Sequence, residues 1–207
     1  MNKKVWNHKI SCAFTIFIFC VCIFLTSCVS KSKINNEVSS GFCAVNLRPV
    51  YITNSKKIML LLPEYNTVEV DSIQLLNGSF GDAEFSLMSY TQIDSTGISL
   101  SLMNDFGTDM GNVFYDGEKV VFDSAYFPKQ LPGEYIIADI QNAFYDSAVL
   151  KSNYEKSGLT FEEEKNENST IRKIIDKKKV IEEIRIEEKS VSINNYLRNY
   201  KYVLLSE

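Results

Sequence analysis

The segment Ile98-Ser99-Leu100-Ser101-Leu102 alternates apolar side chains with serines at every position. Successive residues of a β-strand point to opposite faces of its sheet, so the segment predicts a strand with one apolar and one polar face. A strand of this kind is typical of an antiparallel sheet that is covered on one side only. These five residues therefore favour a mainly β domain whose sheet turns one face to the core.

Short apolar runs flank this segment and predict further strands: Leu47–Ile52, Ile58–Leu62, Val68–Asp71, Phe80–Ile93, Asn112–Tyr115 and Lys119–Phe122. The run Ile58–Leu62 fits either a buried strand or part of a helix, because periodicity alone does not separate the two. Asn77-Gly78 and Asp116-Gly117 have the composition of tight hairpin turns. Strands that follow one another through short turns predict a meander.

The period of the apolar residues changes after Leu131-Pro132-Gly133. Ile136, Ile140 and Phe144 are spaced so that they share one face of a helix. Asp146 predicts the N-cap of a second short helix, and Gly158 predicts its end.

Strand patterns resume after this helical region: Leu159–Glu164, Thr170–Ile175, Val180–Glu187, Val191–Ile193 and Asn199–Leu205. The sequence thus predicts a single, mainly β (α+β) domain. We expect a curved antiparallel sheet or barrel with a short helical insertion near residues 134–157.

The N-terminal residues have the organisation of a secretory signal. Lys3, Lys4 and Lys9 form a basic start, and the uncharged segment Ala13–Leu25 follows. A run of this length is typical of a signal peptide and short for a membrane span, which needs about 20 apolar residues. It ends in Leu25-Thr26-Ser27-Cys28, which resembles the lipobox of bacterial lipoproteins.

The lipobox resemblance implies cleavage between Ser27 and Cys28 and attachment of a lipid to the Cys28 sulfur. Two or more acyl chains would give a stable membrane anchor. The alternatives are an ordinary cleaved signal and an uncleaved membrane helix. We expect a signal peptide over residues 1–27, a flexible tether over 28–40 and a folded domain over 41–207.

Composition narrows the function of the mature chain. Cleavage removes three of the 22 basic residues and none of the 26 acidic ones, which leaves a net charge of about −7. An acidic chain without a basic stripe argues against a nucleic-acid partner. His8 is the only histidine and leaves with the signal. Cys43 then has no second cysteine to pair with inside the chain, so a buried thiol is expected, the alternative being a reactive or intermolecular one.

Catalytic and metal-binding motifs are not found in the sequence. The loss of His8 excludes Ser-His-Asp and Cys-His machinery and histidine metal sites from the mature chain. The sequence has no P-loop, G-x-G-x-x-G or G-x-S-x-G motif. A turn at Asn104-Asp105 with Asp109 could hold a weak cation, but a glycine-bearing turn explains the same residues. We expect no enzyme activity, no cofactor and no metal.

Several segments of the mature chain carry a family resemblance: Phe85-Ser86-Leu87, Ile98–Leu102, Asn104-Asp105-Phe106-Gly107, Asp116-Gly117, Leu131–Gln141 and Asn199–Tyr202. Together they resemble a group of bacterial outer-membrane lipoproteins with a domain of unknown function, DUF3261. This group is similar to LolB, the outer-membrane receptor for lipoproteins. Leu131–Gln141 resembles the family most closely, whereas Tyr145-Asp146 stands where members often have Trp-Pro.

The resemblance implies an unclosed, bent antiparallel sheet with helices over its mouth and an apolar concave face that can hold acyl chains. Ile136, Ile140 and Phe144 would then form the inner side of the lid, although ordinary helix packing needs the same apolar stripe. Val29 follows the predicted lipidation site Cys28. A residue other than aspartate at this position favours location in the outer membrane, facing the periplasm. Two functions stay open: a carrier or receptor for lipids or lipoproteins, and a non-carrier envelope lipoprotein that binds a protein partner.

Overall fold

The computed structural model describes residues 49–124 and 131–206. The predicted signal peptide, the cleavage site at Ser27 and Cys28, the tether and Cys43 lie outside the described residues. Their assignments therefore stay predictions.

The described residues form twelve strands and two α-helices. The strands are β1 Pro49–Tyr51, β2 Lys57–Met59, β3 Val70–Phe80, β4 Ala83–Ile93, β5 Ile98–Met103, β6 Asp109–Tyr115, β7 Val120–Asp123, β8 Thr160–Lys165, β9 Ser169–Asp176, β10 Lys179–Glu187, β11 Ser190–Asn195 and β12 Tyr200–Ser206. The helices are α1, Gly133–Phe144, and α2, Ser147–Lys156. A single 3₁₀ turn covers Pro63–Tyr65.

Ten of the strands form one antiparallel sheet in the order β7-β6-β5-β4-β3-β12-β11-β10-β9-β8. Each half of the sheet is a meander, and the two halves meet where β12 pairs with β3. The sheet is not closed, because β7 and β8 are its two edges. The expected unclosed, mainly antiparallel sheet with a helical insertion is confirmed.

The alternation that predicted β5 is reproduced by the burial of its side chains. Ile98, Leu100 and Leu102 are buried, while Ser99 and Ser101 face outward and are partly exposed. The helices cover the inner face, where α1 contacts β6, β7 and β10 and α2 contacts β8. The buried apolar core of the described residues runs from Val50 to Leu204, so a chain that begins at residue 41 contains all of this core.

The turn predicted at Asn77-Gly78 is wrong, because both residues lie inside β3 and the chain turns at Gly81-Asp82 instead. Tertiary packing explains the glycine. A Cβ at Gly78 would lie 2.5 Å from the Phe85 ring and 2.7 Å from the Lys201 carbonyl oxygen. Gly78 is therefore needed for close approach across the sheet, not for a turn.

The apolar run Ile58–Leu62 is only partly a strand. β2 ends at Met59, and Leu60 and Leu61 are buried in the connection to the 3₁₀ turn. Both predicted signals of the second helix are confirmed. The Asp146 carboxylate accepts from the backbone N–H groups of Ala148 and Val149, and α2 ends at Lys156, just before Gly158 with its φ of +72°. Among the described residues, no helix is long and apolar enough to cross a membrane.

Candidate functional site

A cavity of about 250 Å³ lies between the inner face of the sheet and the start of α1. Apolar and aromatic side chains form most of its wall: Leu76, Phe80, Phe85, Leu87, Leu100, Leu102, Met110, Val113, Leu131, Ile136, Tyr200, Tyr202 and Leu204. Ligand pockets commonly measure about 300–1,000 Å³, and an apolar cavity of about 150 Å³ takes up benzene. The space thus suits a small apolar group or part of a longer chain.

The close approach of β3, β4 and β12 at Gly78 shapes one side of this cavity. Because Gly78 has no side chain, the Phe85 ring lies across β3 and forms part of the wall. At the other side, Gly133 lets α1 start against β7, where a Cβ would lie 2.7 Å from the Cβ of Phe122. These two glycines bring the strands and the helix close together around the cavity.

Four residues near the tip of the β3–β4 hairpin also border the cavity. Ala83, Glu84 and Lys201 are exposed there and line the cavity together with Ser79. Lys201 pairs with Ser79, and Ser79 pairs with Glu84, in a row across β12, β3 and β4. These three residues adjoin the inward-facing Gly78, Phe85 and Tyr202, so their side chains belong to the outer face of the sheet and the wall on the inner face is apolar.

Two tyrosines of β12 connect the cavity wall to a buried polar cluster. Tyr200 stacks on Phe80 with a centroid separation of 6.2 Å and on Tyr202 with one of 6.3 Å. Both tyrosine hydroxyls donate to Asp139 Oδ2, at 2.7 Å from Tyr200 and 3.2 Å from Tyr202. The rings face the cavity, and the hydroxyls point away from it into the core.

The polar cluster contains a second carboxyl, that of Glu182. Asn142 donates to Glu182 Oε1 and Asn195 donates to Glu182 Oε2, both at 2.8 Å. Asn195 also donates to the Tyr200 hydroxyl at 3.3 Å. The hydrogen bonds thus form a continuous path from Glu182 through Asn195 and Tyr200 to Asp139. We call Asp139, Glu182, Asn142, Asn195, Tyr154, Tyr200 and Tyr202 the carboxyl cluster.

Burial favours the protonated forms of both carboxyls in this cluster. The pKa of Asp139 is raised well above its ordinary value, first by burial and then by the charge of Glu182. Burial also raises the pKa of Glu182 to about 6, against the opposing effect of the hydrogen bonds from Asn142 and Asn195. Burial thus favours the neutral form of Asp139, and a neutral carboxyl can still accept both tyrosine hydroxyls at Oδ2.

Two further polar side chains of this region stabilise the fold. Gln141 forms two hydrogen bonds with the backbone of Leu61, accepting from its N–H at 2.9 Å and donating to its carbonyl at 2.7 Å. Arg172 donates to the carbonyl oxygens of Asn142, Ala143 and Tyr145 at the end of α1, at 2.8, 3.1 and 3.0 Å. Its guanidinium also pairs with Glu163 at 2.7 Å.

The residues proposed for the lid lie at different places on α1. Ile136 lines the cavity. Ile140 and Phe144 are buried in the core and are not among the residues that line it. Within residues 49–124 and 131–206, no group of three or more His, Cys, Asp or Glu side chains could hold a metal ion.

The sequence reading missed the carboxyl cluster and an exposed aromatic residue. Asp139 lies among the apolar residues of α1, and Glu182 occupies an inward position of β10 beside Ile184. The available signal is a charged residue at a position where the spacing of the helix or strand predicts an apolar one.

Phe106 is 93% exposed in the β5–β6 turn, where Asn104 Oδ1 accepts from the N–H groups of Phe106 and Thr108.

Comparisons with known proteins give one family match. A family model described as "Protein of unknown function (DUF3261)" matches residues 71–205. This range runs from β3 to β12 and includes the sheet, both helices and the cavity. No curated protein matches the chain.

Proposed function

The chain belongs to the DUF3261 family of proteins of unknown function, and we propose that it is a lipid-anchored envelope lipoprotein that binds acyl chains in the cavity beside α1. The cavity is the observation that carries this proposal. Its wall is formed mostly by apolar and aromatic side chains. A cavity of this kind suits the apolar tail of an amphiphile.

Binding in such a site is physical, with no covalent chemistry. Each methylene that leaves water contributes about 0.8 kcal/mol, which is about a fourfold gain in affinity. The gain should stop when the tail fills the cavity. At about 250 Å³, the cavity suits one tail or part of one, so the proposed ligand is a single-chain amphiphile or one chain of a larger lipid.

The proposed location follows from the N-terminal sequence. The lipobox at Leu25–Cys28 supports lipidation of Cys28, and Val29 supports the outer membrane, facing the periplasm. The proposed partners are thus the membrane, through the lipid on Cys28, and an acyl ligand, with no nucleic acid and no enzyme activity. A carrier or receptor role fits a cavity tethered to a membrane.

The exposed ring of Phe106 supports contact with a membrane or an apolar ligand. The β5–β6 turn is held by the two hydrogen bonds to Asn104 Oδ1 and by backbone bonds between Asn104 and both Gly107 and Thr108. A turn that is already ordered presents the ring with little further loss of conformational entropy.

A non-carrier interaction module is the second candidate, and the outer face of the sheet favours it. Ile73 and Leu75 on β3 and Leu205 on β12 are 55%, 41% and 37% exposed, and Leu75 pairs with both Met88 and Leu205. Contiguous exposed apolar side chains are typical of protein interfaces. This surface lies on the face of the sheet opposite to the cavity, so the two candidates can be tested separately.

The deciding experiment uses residues 41–207, which contain the whole described core. Native mass spectrometry of the purified domain should detect an added mass of a few hundred daltons that is lost on denaturation. Saturated fatty acids should displace a dansyl-labelled fatty acid, with an affinity that rises with chain length and then levels off. A clean protein mass together with no probe binding would refute the acyl-binding proposal and leave the interaction module.

A matched pair of variants places the binding site. Leu102→Phe adds volume to a residue that lines the cavity, and Leu75→Phe makes the same change on the outer face. Leu102→Phe should weaken probe binding or shorten the preferred chain, whereas Leu75→Phe should not. Equal effects of the two changes would place the bound probe elsewhere.

A further inference from the structure

The cavity and the carboxyl cluster share two side chains, Tyr200 and Tyr202. Each presents its ring to the cavity and its hydroxyl to Asp139 Oδ2. Asn195 extends the contact by donating to both Tyr200 and Glu182. One layer of aromatic rings thus separates the ligand space from two buried carboxyls.

The charged and titratable groups that face the two carboxyls come from every neighbouring element. They are Tyr154 on α2, Tyr200 and Tyr202 on β12, and Arg198 in the β11–β12 turn, besides Asp139 on α1 and Glu182 on β10. Neither carboxyl takes part in an ion pair among residues 49–124 and 131–206.

Arg198 is the cation whose charge acts on both carboxyls. Its guanidinium is already engaged elsewhere. It donates to the backbone carbonyls of Tyr51 and Ile52 and stacks over the Tyr135 ring at 4.1 Å. Since no cation of the described residues forms an ion pair with either carboxyl, burial favours their protonated forms.

We propose that the carboxyl cluster takes up a proton when the cavity fills, so that the protein holds its apolar ligand more tightly as the pH falls. This inference rests on the proposed function of the cavity. A tail in the cavity displaces water from the ring faces of Tyr200 and Tyr202. The surroundings of the carboxyls then become less polar, which further disfavours their ionised forms.

The proton balance is simple. A proton from solvent joins the Glu182 carboxylate, and no bond to the ligand forms or breaks. Linkage is reciprocal, so a ligand that favours the protonated cluster binds more weakly once the cluster ionises. If filling the cavity raises the pKa by about half a unit, affinity changes by about threefold across the titration, and a full unit gives about tenfold.

The test titrates residues 41–207 with a pyrene-labelled fatty alcohol between pH 5 and pH 8. The alcohol carries no group that ionises in this range, so the pH dependence belongs to the protein. We expect the dissociation constant to rise by about three- to tenfold from pH 5 to pH 8. A dissociation constant that stays flat across this range would overturn the inference.

Two variants assign the effect to a residue. Glu182→Gln removes the charge at nearly constant shape and should reduce the pH dependence. Glu183→Gln makes the same change at the next residue, which faces the opposite side of β10 and is partly exposed, and should retain it. The same slope in both variants would refute the role of the cluster.

A direct measurement covers the case in which Glu182→Gln does not fold. Adding the fatty alcohol to the unmodified domain at pH 6.5 in weak buffer should raise the pH reported by an indicator dye, because protons are taken up. Binding without proton uptake would refute the linkage and leave the proposed function intact.

If no fatty alcohol binds at any pH, the proposed function fails, and the coupling is then tested without ligand. The NMR signals of the Tyr200 and Tyr202 rings should shift with the same midpoint as the Glu182 carboxyl carbon. Independent midpoints would show that the wall does not respond to the cluster.

Discussion

Replacing Glu182 with Gln should reduce the pH dependence of stability between pH 5 and pH 7. Glu182 is 2% exposed and accepts hydrogen bonds from Asn142 and Asn195. Burial raises its pKa to about 6 from an ordinary 4.5. Because the folded state holds this proton more tightly than the unfolded state does, added protons stabilise the fold.

The magnitude follows from the two pKa values. The difference between 4.5 and about 6 corresponds to about 2 kcal/mol. This stabilisation is fully present below about pH 4.5 and is lost as the pH rises through about 6. The raised pKa of Asp139 has the same sign. The lowered pKa of Glu163 has the opposite sign, and its effect falls below this window because Glu163 stays ionised there.

The assay is urea denaturation of residues 41–207 at several pH values, followed by far-ultraviolet circular dichroism. Trp6 is the only tryptophan and precedes this range, so tyrosine emission can serve as the second probe. Between pH 7 and pH 5, the unmodified domain and Glu183→Gln should each gain about 1 kcal/mol more stability than Glu182→Gln gains, since the rest of the effect appears only below pH 5. A loss of stability on acidification of the unmodified domain would refute the reasoning, as would an unchanged slope in Glu182→Gln.

Three further changes test other parts of the structure. Gly78→Ala should lower the free energy of unfolding in urea by about 1–3 kcal/mol, since its Cβ would meet Phe85 and a backbone carbonyl; a neutral result would show that the strands can separate there. Arg172→Met should cost about 3 kcal/mol in the same assay, because it leaves three carbonyls at the end of α1 without their donor and Glu163 with Lys165 as its remaining cation; unchanged stability would mean that water replaces the guanidinium. Cys28→Ser in the full chain should abolish labelling by radioactive palmitate and move the protein from the membrane to the soluble fraction; labelling that persists would exclude Cys28 as the lipidation site.

Most strands and both helices could be predicted because each is specified by residues close in sequence. The alternation Ile98–Leu102, the turn Asp116-Gly117 and the cap at Asp146 are local signals, and the structure has each of them as expected. Asn77-Gly78 has an equally local turn signal and is wrong. Gly78 is required by the close approach of Phe85 and Lys201 on the two neighbouring strands. Sequence spacing does not reveal such a contact.

The candidate site was predictable only in part. Ile136 was identified from its helical spacing, and it lines the cavity. Ile140 and Phe144 share that spacing but pack into the core. The cavity lies at the start of α1, so only the first residue of the apolar stripe reaches it. The carboxyl cluster depends on Asp139 of α1 meeting Glu182 of β10, and no local pattern joins residues from those two elements.

The segment that most resembles the family, Leu131–Gln141, performs three physical tasks in this chain. Leu131 and Ile136 form part of the cavity wall. Asp139 binds the two tyrosines behind the opposite wall, and Gln141 fixes the backbone of Leu61 against α1. None of these tasks requires a reacting group. All of them bear on whether a cavity exists, how wide it is and what charge lies behind it. The likeness therefore fits the proposed apolar cavity, and in this chain the buried Glu182, linked to Asp139 through Asn195 and Tyr200, is the side chain proposed to make that cavity responsive to pH.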